Sequence, residues 1–402
     1  MTPERAREIP RGRSTARHVT DARRRPGRVT AQRDDVEGAR AAARAEPGTT
    51  GSGRRIGGLD VARGLAVLGM FGAHLGDTGE LGWDPATWRA LADGRSSILF
   101  ATLAGVSIAL LSGGRTPATG RGLGRARTRI LVRAAWVFAI GGVLELLDTF
   151  VAIILGVYAV LFVLALPFLR WPPARLLPAA GAVALAAPPL TLAVGQYATA
   201  RDEEGNAFAF LLFTGYYPAA VWLAFVLLGL AAGRLDLHSA RVRAGLVAGG
   251  AAAAVLGYVG GWLSTRQLAP GEELAGIEAG FGASGEWDPA WFAGAEPHSS
   301  TTFEVVGSGG VAAAVIGACL VAADLLPRLL YPLASVGALA LSVYTAQIVA
   351  LAVLHVEFAE DWGRWVRFTL TALLLATVWR LRLGRGPLER LLTWSSRRAA
   401  GP

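Results

Sequence analysis

The chain has 402 residues, 53% of them hydrophobic and only 17% charged, with a formal net charge of +9 and a mean hydropathy of +0.42. Apolar runs near twenty residues with few charges read as membrane-spanning helices, which excludes an ordinary soluble domain. The single cysteine, Cys319, rules out a disulfide framework and a thiolate metal site, and the five histidines are too scattered for a metal-binding tract, so no metal is expected.

Every one of the 39 basic residues is arginine, so arginine abundance says little and its placement says more. In a soluble chain this positive charge would suggest nucleic acid. In a chain of apolar segments it marks cytoplasmic loops and an anionic membrane surface, so no nucleic-acid partner is expected.

Residues 1–53 are rich in Arg, Ala and Pro without an apolar period and read as a disordered, solvated cytoplasmic tail. Ten candidate spans follow, near 57–77, 96–112, 130–147, 149–169, 175–195, 216–233, 244–263, 303–323, 332–355 and 366–382. The third and fourth are separated only by Glu145 to Thr149 and read as a tight hairpin. The tail, the loops 113–129, 170–175 and 234–243, and the C-terminal segment with Arg382, Arg385, Arg390, Arg397 and Arg398 are basic. The loops between them are acidic, through Asp77, Glu80, Asp84 and Asp93, then Asp202, Glu203 and Glu204, then the 264–302 loop. Ten spans with both termini cytoplasmic satisfy every loop. The expected fold is therefore an all-α polytopic helix bundle, an N-terminal transmembrane region over 54–230 and a C-terminal one over 231–395, with residues 396–402 as a tail.

Glycines at four-residue spacing, Gly229 and Gly233, Gly245 and Gly249, Gly257 and Gly261, are expected to let helix backbones approach closely in lipid. Pro167, Pro188 and Pro189 are expected at helix ends or kinks.

The first span carries the most informative pattern, Leu59-Asp60-Val61-Ala62-Arg63-Gly64 followed by ten residues and His74. Eleven helical positions rotate through roughly 1,100°, close to three full turns, so Arg63 and His74 share a face about 16 Å apart along the axis. Asp60 lies one turn from Arg63 on nearly the same stripe. Ionisable groups inside a membrane segment are costly unless they pair or line a cavity. Two readings stand side by side. In one, the stripe is a site: a fixed guanidinium can hold phosphate, and an imidazole can take a proton or carry an acyl group. In the other, Asp60 and Arg63 neutralise each other at the interface and His74 bonds a backbone carbonyl.

Elsewhere, His298 stands in Glu296-Pro297-His298-Ser299-Ser300-Thr301-Thr302, where it either joins the site or belongs to a loop capping the next helix. Arg95 and Ser96 open the second span, where Arg95 either holds substrate or snorkels to water. Glu145 and Asp148 read as a solvated turn and His355 as an interfacial residue. Ser342, Thr345 and Gln347 read as interhelical hydrogen-bonding groups.

The segment Arg63 through His74 resembles the Arg-x10-His signature of the transmembrane acyltransferase superfamily, and most closely its bacterial heparan-alpha-glucosaminide N-acetyltransferase-like multipass proteins. The likeness extends to Gly94-Arg95-Ser96 with Phe100 and Leu103 to Ser107, to Gly215-Tyr216-Tyr217-Pro218 with Trp222, to Pro297-His298-Ser299 with Thr302, and to Arg385-Gly386-Pro387-Leu388-Glu389. It covers about residues 54–395. The resemblance implies transfer of an acyl group from cytosolic acyl-CoA, acetyl-CoA in the first instance, to an acceptor across the plasma membrane. It implies His74 as the catalytic histidine and Arg63 as its partner towards the CoA side, with Asp60 and His298 assisting and Arg95, Ser96 and Ser299 on the substrate. The expected partners are the lipid bilayer and a glycan, lipid or small-molecule acceptor of the cell envelope; a homodimer is left open. A small-molecule transporter and a non-catalytic envelope scaffold are the rival readings.

Overall fold

The computed structural model describes residues 56–75, 87, 90–201, 206–268, 276–280, 288–356 and 362–401. The N-terminal tail and the acidic positions Asp77, Glu80, Asp84, Asp202, Glu203, Glu204, Glu272, Glu273 and Glu286 lie outside the described residues. From Ile56 onward the chain is one compact unit, and among the described residues it contains helices and no strand.

The helices are α1 Gly57–His74, α2 Arg95–Leu111, α3 Gly120–Glu145, α4 Leu155–Leu164, α5 Pro173–Thr199, α6 Ala207–Thr214, α7 Ala219–Gly233, α8 Ala240–Leu268, α9 Thr302–Leu325, α10 Tyr331–Ala338, α11 Ala340–Val353, α12 Trp362–Leu383 and α13 Pro387–Ala400. Each expected span overlaps at least one of them. Three are long and apolar enough to cross a membrane, α5, α8 and α9, or five spans if the bent pairs α6–α7 (54°) and α10–α11 (81°) are each one. Helix α1 matches a span in length, but Asp60, Arg63 and His74 dilute its apolar character. Arginines do the same for α3 and α12.

Helix α1 is the axis of the bundle, with α2, α9, α10, α11 and α12 packed around it. Its apolar residues Leu59, Val61, Ala62, Ala66, Val67, Met70 and Phe71 are buried, and so is Asp60. The approach to α10 is backbone to backbone: a Cβ at Gly337 would sit 1.8 Å from the Asp60 carbonyl oxygen. Helices α2 and α7 meet the same way, Gly229 lying against the Thr102 carbonyl. Packing of this kind, rather than the hydrophobic effect, holds helices together in lipid. Gly233 and the pair Gly257 and Gly261 also sit at close contacts, whereas Gly245 and Gly249 have no neighbour within 4 Å of an added Cβ.

Two elements depart from expectation, the hairpin after α3 and the span over 332–355, and the expected prolines fall in two ways. Helix α5 runs through Pro178, Pro188 and Pro189; a helix in an apolar bundle can absorb the lost amide bonds among its neighbours. Pro167 does end α4, in the 3₁₀ turn Leu166–Arg170. The hairpin after α3 is opened by residues 146–154, which carry Asp148 with a left-handed φ of 48°. The expected single span over 332–355 breaks at Leu339.

That break frees amides at the start of α11, and Glu389 of α13 takes them. Its carboxylate accepts from Leu341 N (2.9 Å), Ser342 N (3.1 Å) and Ser342 Oγ (2.6 Å), a helix N-terminus meeting a negative charge. At the same end of the bundle, the buried Arg234 gathers the arginine-rich connections. Its Nη1 donates to Ala109 O (3.1 Å) and Gly114 O (2.6 Å), and its Nη2 to Ser112 Oγ (2.8 Å) and to Leu169 O. The loops that follow α2, α4 and α7 are thereby tied to one cation.

The glycine contacts give a paired expectation for thermal unfolding in detergent. Gly337→Ala should cost about 1–3 kcal/mol or more, because backbone must move to admit the methyl group. Gly249→Ala, with open space around it, should be neutral or stabilising by up to about 1 kcal/mol.

Candidate functional site

The two ends of α1 carry two polar clusters. Near its start Arg63 Nη1 lies 2.9 Å from Asp60 Oδ1, and Nη2 donates to Ser107 Oγ of α2 at 3.1 Å. Arg380 of α12 comes within 3.9 Å of Asp60 Oδ2 and stacks over the Tyr331 ring, 4.9 Å from its centroid. A carboxylate only 2% exposed is tolerated because cations flank it; an unpaired buried ion costs on the order of several kcal/mol.

Further cations gather beyond Arg63. Arg133 of α3 lies in the electrostatic field of Arg129, Arg397, Arg385 and Arg63. Arg385, Arg390, Arg397 and Arg398, with Thr393 and Trp394, surround a basin of about 660 Å³ along α13. Helix α13 is amphipathic and packs on α3, so its arginines reach the neighbourhood of the first turn of α1. In the sequence these residues read only as loop charge, because the fold rather than the spacing brings them to Arg63.

At the last turn of α1, His74 Nδ1 donates to Gln347 Oε1 of α11 at 3.2 Å, and the ring meets Tyr344 edge-on at 6.1 Å. With Nδ1 carrying the proton, Nε2 keeps its lone pair. His74 lines a cavity of about 460 Å³ together with Asp93, Ser96, Ser97, Tyr216, Tyr217 and His298. His74, Ser96 and His298, taken from three distant stretches of sequence, thus share one cavity. Arg63 is not among its lining residues.

The His298 loop is built by the start of α9. Thr301 caps the helix, its Oγ1 accepting from Glu304 N at 3.1 Å. The Glu304 carboxyl group then reaches back to His298 N and Ser300 N, each at 2.7 Å, a variant of the capping box. His298 and Ser300 both have left-handed backbones, φ 63° and 57°, at a cost on the order of 1–3 kcal/mol each. The hydrogen bonds to the Glu304 carboxyl group offset part of that strain. Gly94, φ 61°, lets the turn before α2 approach Pro297, where a Cβ would lie 3.0 Å from the proline Cβ. The His298 ring stacks on Tyr216, centroids 4.4 Å apart, and meets Tyr217 edge-on at 5.6 Å.

Two expected substrate residues take other partners. Arg95 points to Tyr258, donating from Nε at 2.7 Å, and to the Ala90 carbonyl. Ser299 is buried, with its Oγ 3.4 Å from Glu304 Oε2. Neither is among the cavity's lining residues. His355 sits in the turn after α11 with φ 47°. Gln347, expected as an interhelical group, is one, and its partner is His74. Glu304 and Arg380 gave no sequence signal except, for Glu304, its place three residues after Thr301.

A sequence model of the family "Heparan-alpha-glucosaminide N-acetyltransferase, catalytic" matches residues 55–262, over half of the chain. The chain belongs to that family. No curated protein matches it. The matched stretch contains Asp60, Arg63, His74, Asp93, Ser96, Tyr216 and Tyr217. Gln347, His298, Glu304 and Arg380 lie beyond it, so the family's catalytic stretch forms this cavity jointly with the C-terminal part of the chain.

Burial pushes the His298 imidazole down to about 4, against the pull of the Asp93 carboxylate, which favours the charged form. Its Nδ1 is buried without a hydrogen-bond partner among the described residues. Between pH 6.5 and 4 the unfolded chain therefore binds a proton that the folded chain refuses. Stability should fall through that window as pH drops, by at most about 1.4 kcal/mol per pH unit, and be independent of this group above it. Unfolding midpoints measured from pH 7 to 4.5 should show a shallower acid slope for His298→Phe than for the parent protein.

Proposed function

We propose that the protein is a membrane-embedded acyltransferase that moves an acyl group, acetyl in the first instance, from acyl-CoA to an amine or hydroxyl of an envelope glycan, lipid or small molecule. The observation that carries this reading is His74, held by Gln347 through Nδ1 and lining a cavity that it shares with His298 and Asp93. At the other end of the same helix, Arg63 adjoins an arginine cluster. Family membership supports an N-acetyltransferase type of activity.

In this reading the CoA phosphates engage the α13 arginines and Arg133, with Arg63 deepest, as guanidinium groups suit phosphate. The thioester is brought towards His74. The acceptor enters the 460 Å³ cavity. His74 Nε2 takes the proton from the acceptor nitrogen or oxygen as that atom attacks the thioester carbonyl carbon. The carbon–sulfur bond breaks, and the same proton passes to the departing sulfur, releasing free CoA. His298 stays neutral and, with Tyr216, forms an aromatic wall for the acceptor. Arg95 and Ser299 act as positioning residues, through Tyr258 and Glu304 respectively.

Ten crossings with both termini cytoplasmic would set the arginine end in the cytosol and the histidine end outside the plasma membrane. The region 54–230 would supply Arg63, Arg133 and His74, and 231–395 the His298 loop and Gln347. Chemistry on the cytosolic carrier and release on the far side then follow from one helix.

His74→Ala, compared with the parent at equal folded protein in detergent, should lose acyl transfer from labelled acetyl-CoA by about 10²–10⁴-fold, the range for removing a general base. Gln347→Leu should cost less and should alter the pH profile of kcat/KM, since it removes the group that fixes the tautomer. Transfer that survives in His74→Ala, or substrate flux without acyl chemistry, would refute the assignment and favour a transporter.

A further inference from the structure

A second space of about 350 Å³ lies between α11 and α12, with Gln347 among its lining residues. Its walls include Phe71, Ala350, Phe368, Ala372 and Ala376, and it is apolar except for Gln347, Thr371 and Arg367. Phe71 stands one turn before His74 on α1, and Gln347 in the slot wall bonds the imidazole, while Leu354 and Leu375 at the rim are exposed.

Gln347 joins the slot to His74. Its side chain is 3% exposed and its Oε1 is engaged by His74. Its Nε2 is buried with no partner among the described residues. An orphaned buried amide costs on the order of 1–3 kcal/mol, and such a donor at the mouth of an apolar slot is suited to a carbonyl oxygen.

We propose that the slot receives the acyl chain of the donor, with Gln347 Nε2 donating to the thioester carbonyl oxygen at its mouth. This inference rests on the acyltransferase reading and specifies its substrate: acyl groups several carbons long, not acetyl alone. An acetyl methyl needs little more than the roughly 30 Å³ share of one water molecule, far less than the slot provides. Each methylene carried out of water into it contributes about 0.8 kcal/mol. The amide would also hold the carbonyl beside His74 and meet the charge that grows on its oxygen as the acceptor attacks, as oxyanion donors do. Polarity at the mouth and small apolar residues along the walls fit a chain with one polar end.

The experiment compares turnover of acetyl-CoA and octanoyl-CoA by the full-length protein in detergent with that of Ala350→Phe and, separately, Ala372→Phe. The two substitutions fill the slot from opposite helices, so a folding defect in one does not remove the test. The parent protein should use octanoyl-CoA at least as efficiently as acetyl-CoA. In each folded variant the octanoyl-to-acetyl ratio of kcat/KM should fall by at least about tenfold, since a pocket discriminates by roughly that much for even one methylene. A parent that uses acetyl-CoA alone would overturn the inference, leave the acyltransferase reading standing and assign the slot to a membrane lipid chain. An unchanged ratio in both variants would overturn it as well. Turnover of neither donor by the parent would overturn the inference and the acyltransferase reading together.

Discussion

The burial of Asp60 governs how this bundle is assembled. A carboxylate carried on the central helix of an apolar bundle demands cations at contact distance. It receives Arg63 from its own helix and Arg380 from α12. Those demands bring α12 alongside α1, and Arg63 in turn engages α2 through Ser107. The close seat of α10 against the Asp60 carbonyl follows from a glycine at 337. A helix of plain leucine would have been indifferent to the rotation and register of its neighbours; this one specifies both.

The same logic operates at the other end of α1, with neutral groups. His74 engages Gln347, and meets Tyr344 edge-on, on the second half of a broken helix. The loop that supplies His298 is held by the Glu304 carboxyl group. Both arrangements leave aromatic and imidazole surface facing a cavity while their backbones are fully committed elsewhere. Rigid support behind adaptable surface is what a site that must accept one molecule and release another requires.

Much of this was legible in the chain. Helical period alone put Arg63 and His74 on one face, because rotation per residue is fixed whatever surrounds the helix. The helical class followed from the length of the apolar runs. The break at Leu339 was not legible, since neither proline nor a polar run marks it, and its cause is tertiary: Glu389, 47 residues after Ser342, caps the second half. Nor could spacing tell that Arg95 would turn to Tyr258 while Tyr216 and Asp93 came to the cavity. A run of like charges in a C-terminal segment is ambiguous in one dimension; only the packing of α13 on α3 gives it a direction.

The Glu389 cap has a consequence for anion recognition. Half-helix N-termini inside membrane proteins often present their amides to negatively charged ligands. Here the amides of Leu341 and Ser342 are already occupied by a carboxylate from the protein itself. A phosphate-bearing molecule approaching this face must rely on guanidinium groups, several of them near water. Attraction of that kind is screened over about 10 Å at 0.1 M salt, so affinity at this end of the molecule is set by the ionic medium far more than by the backbone.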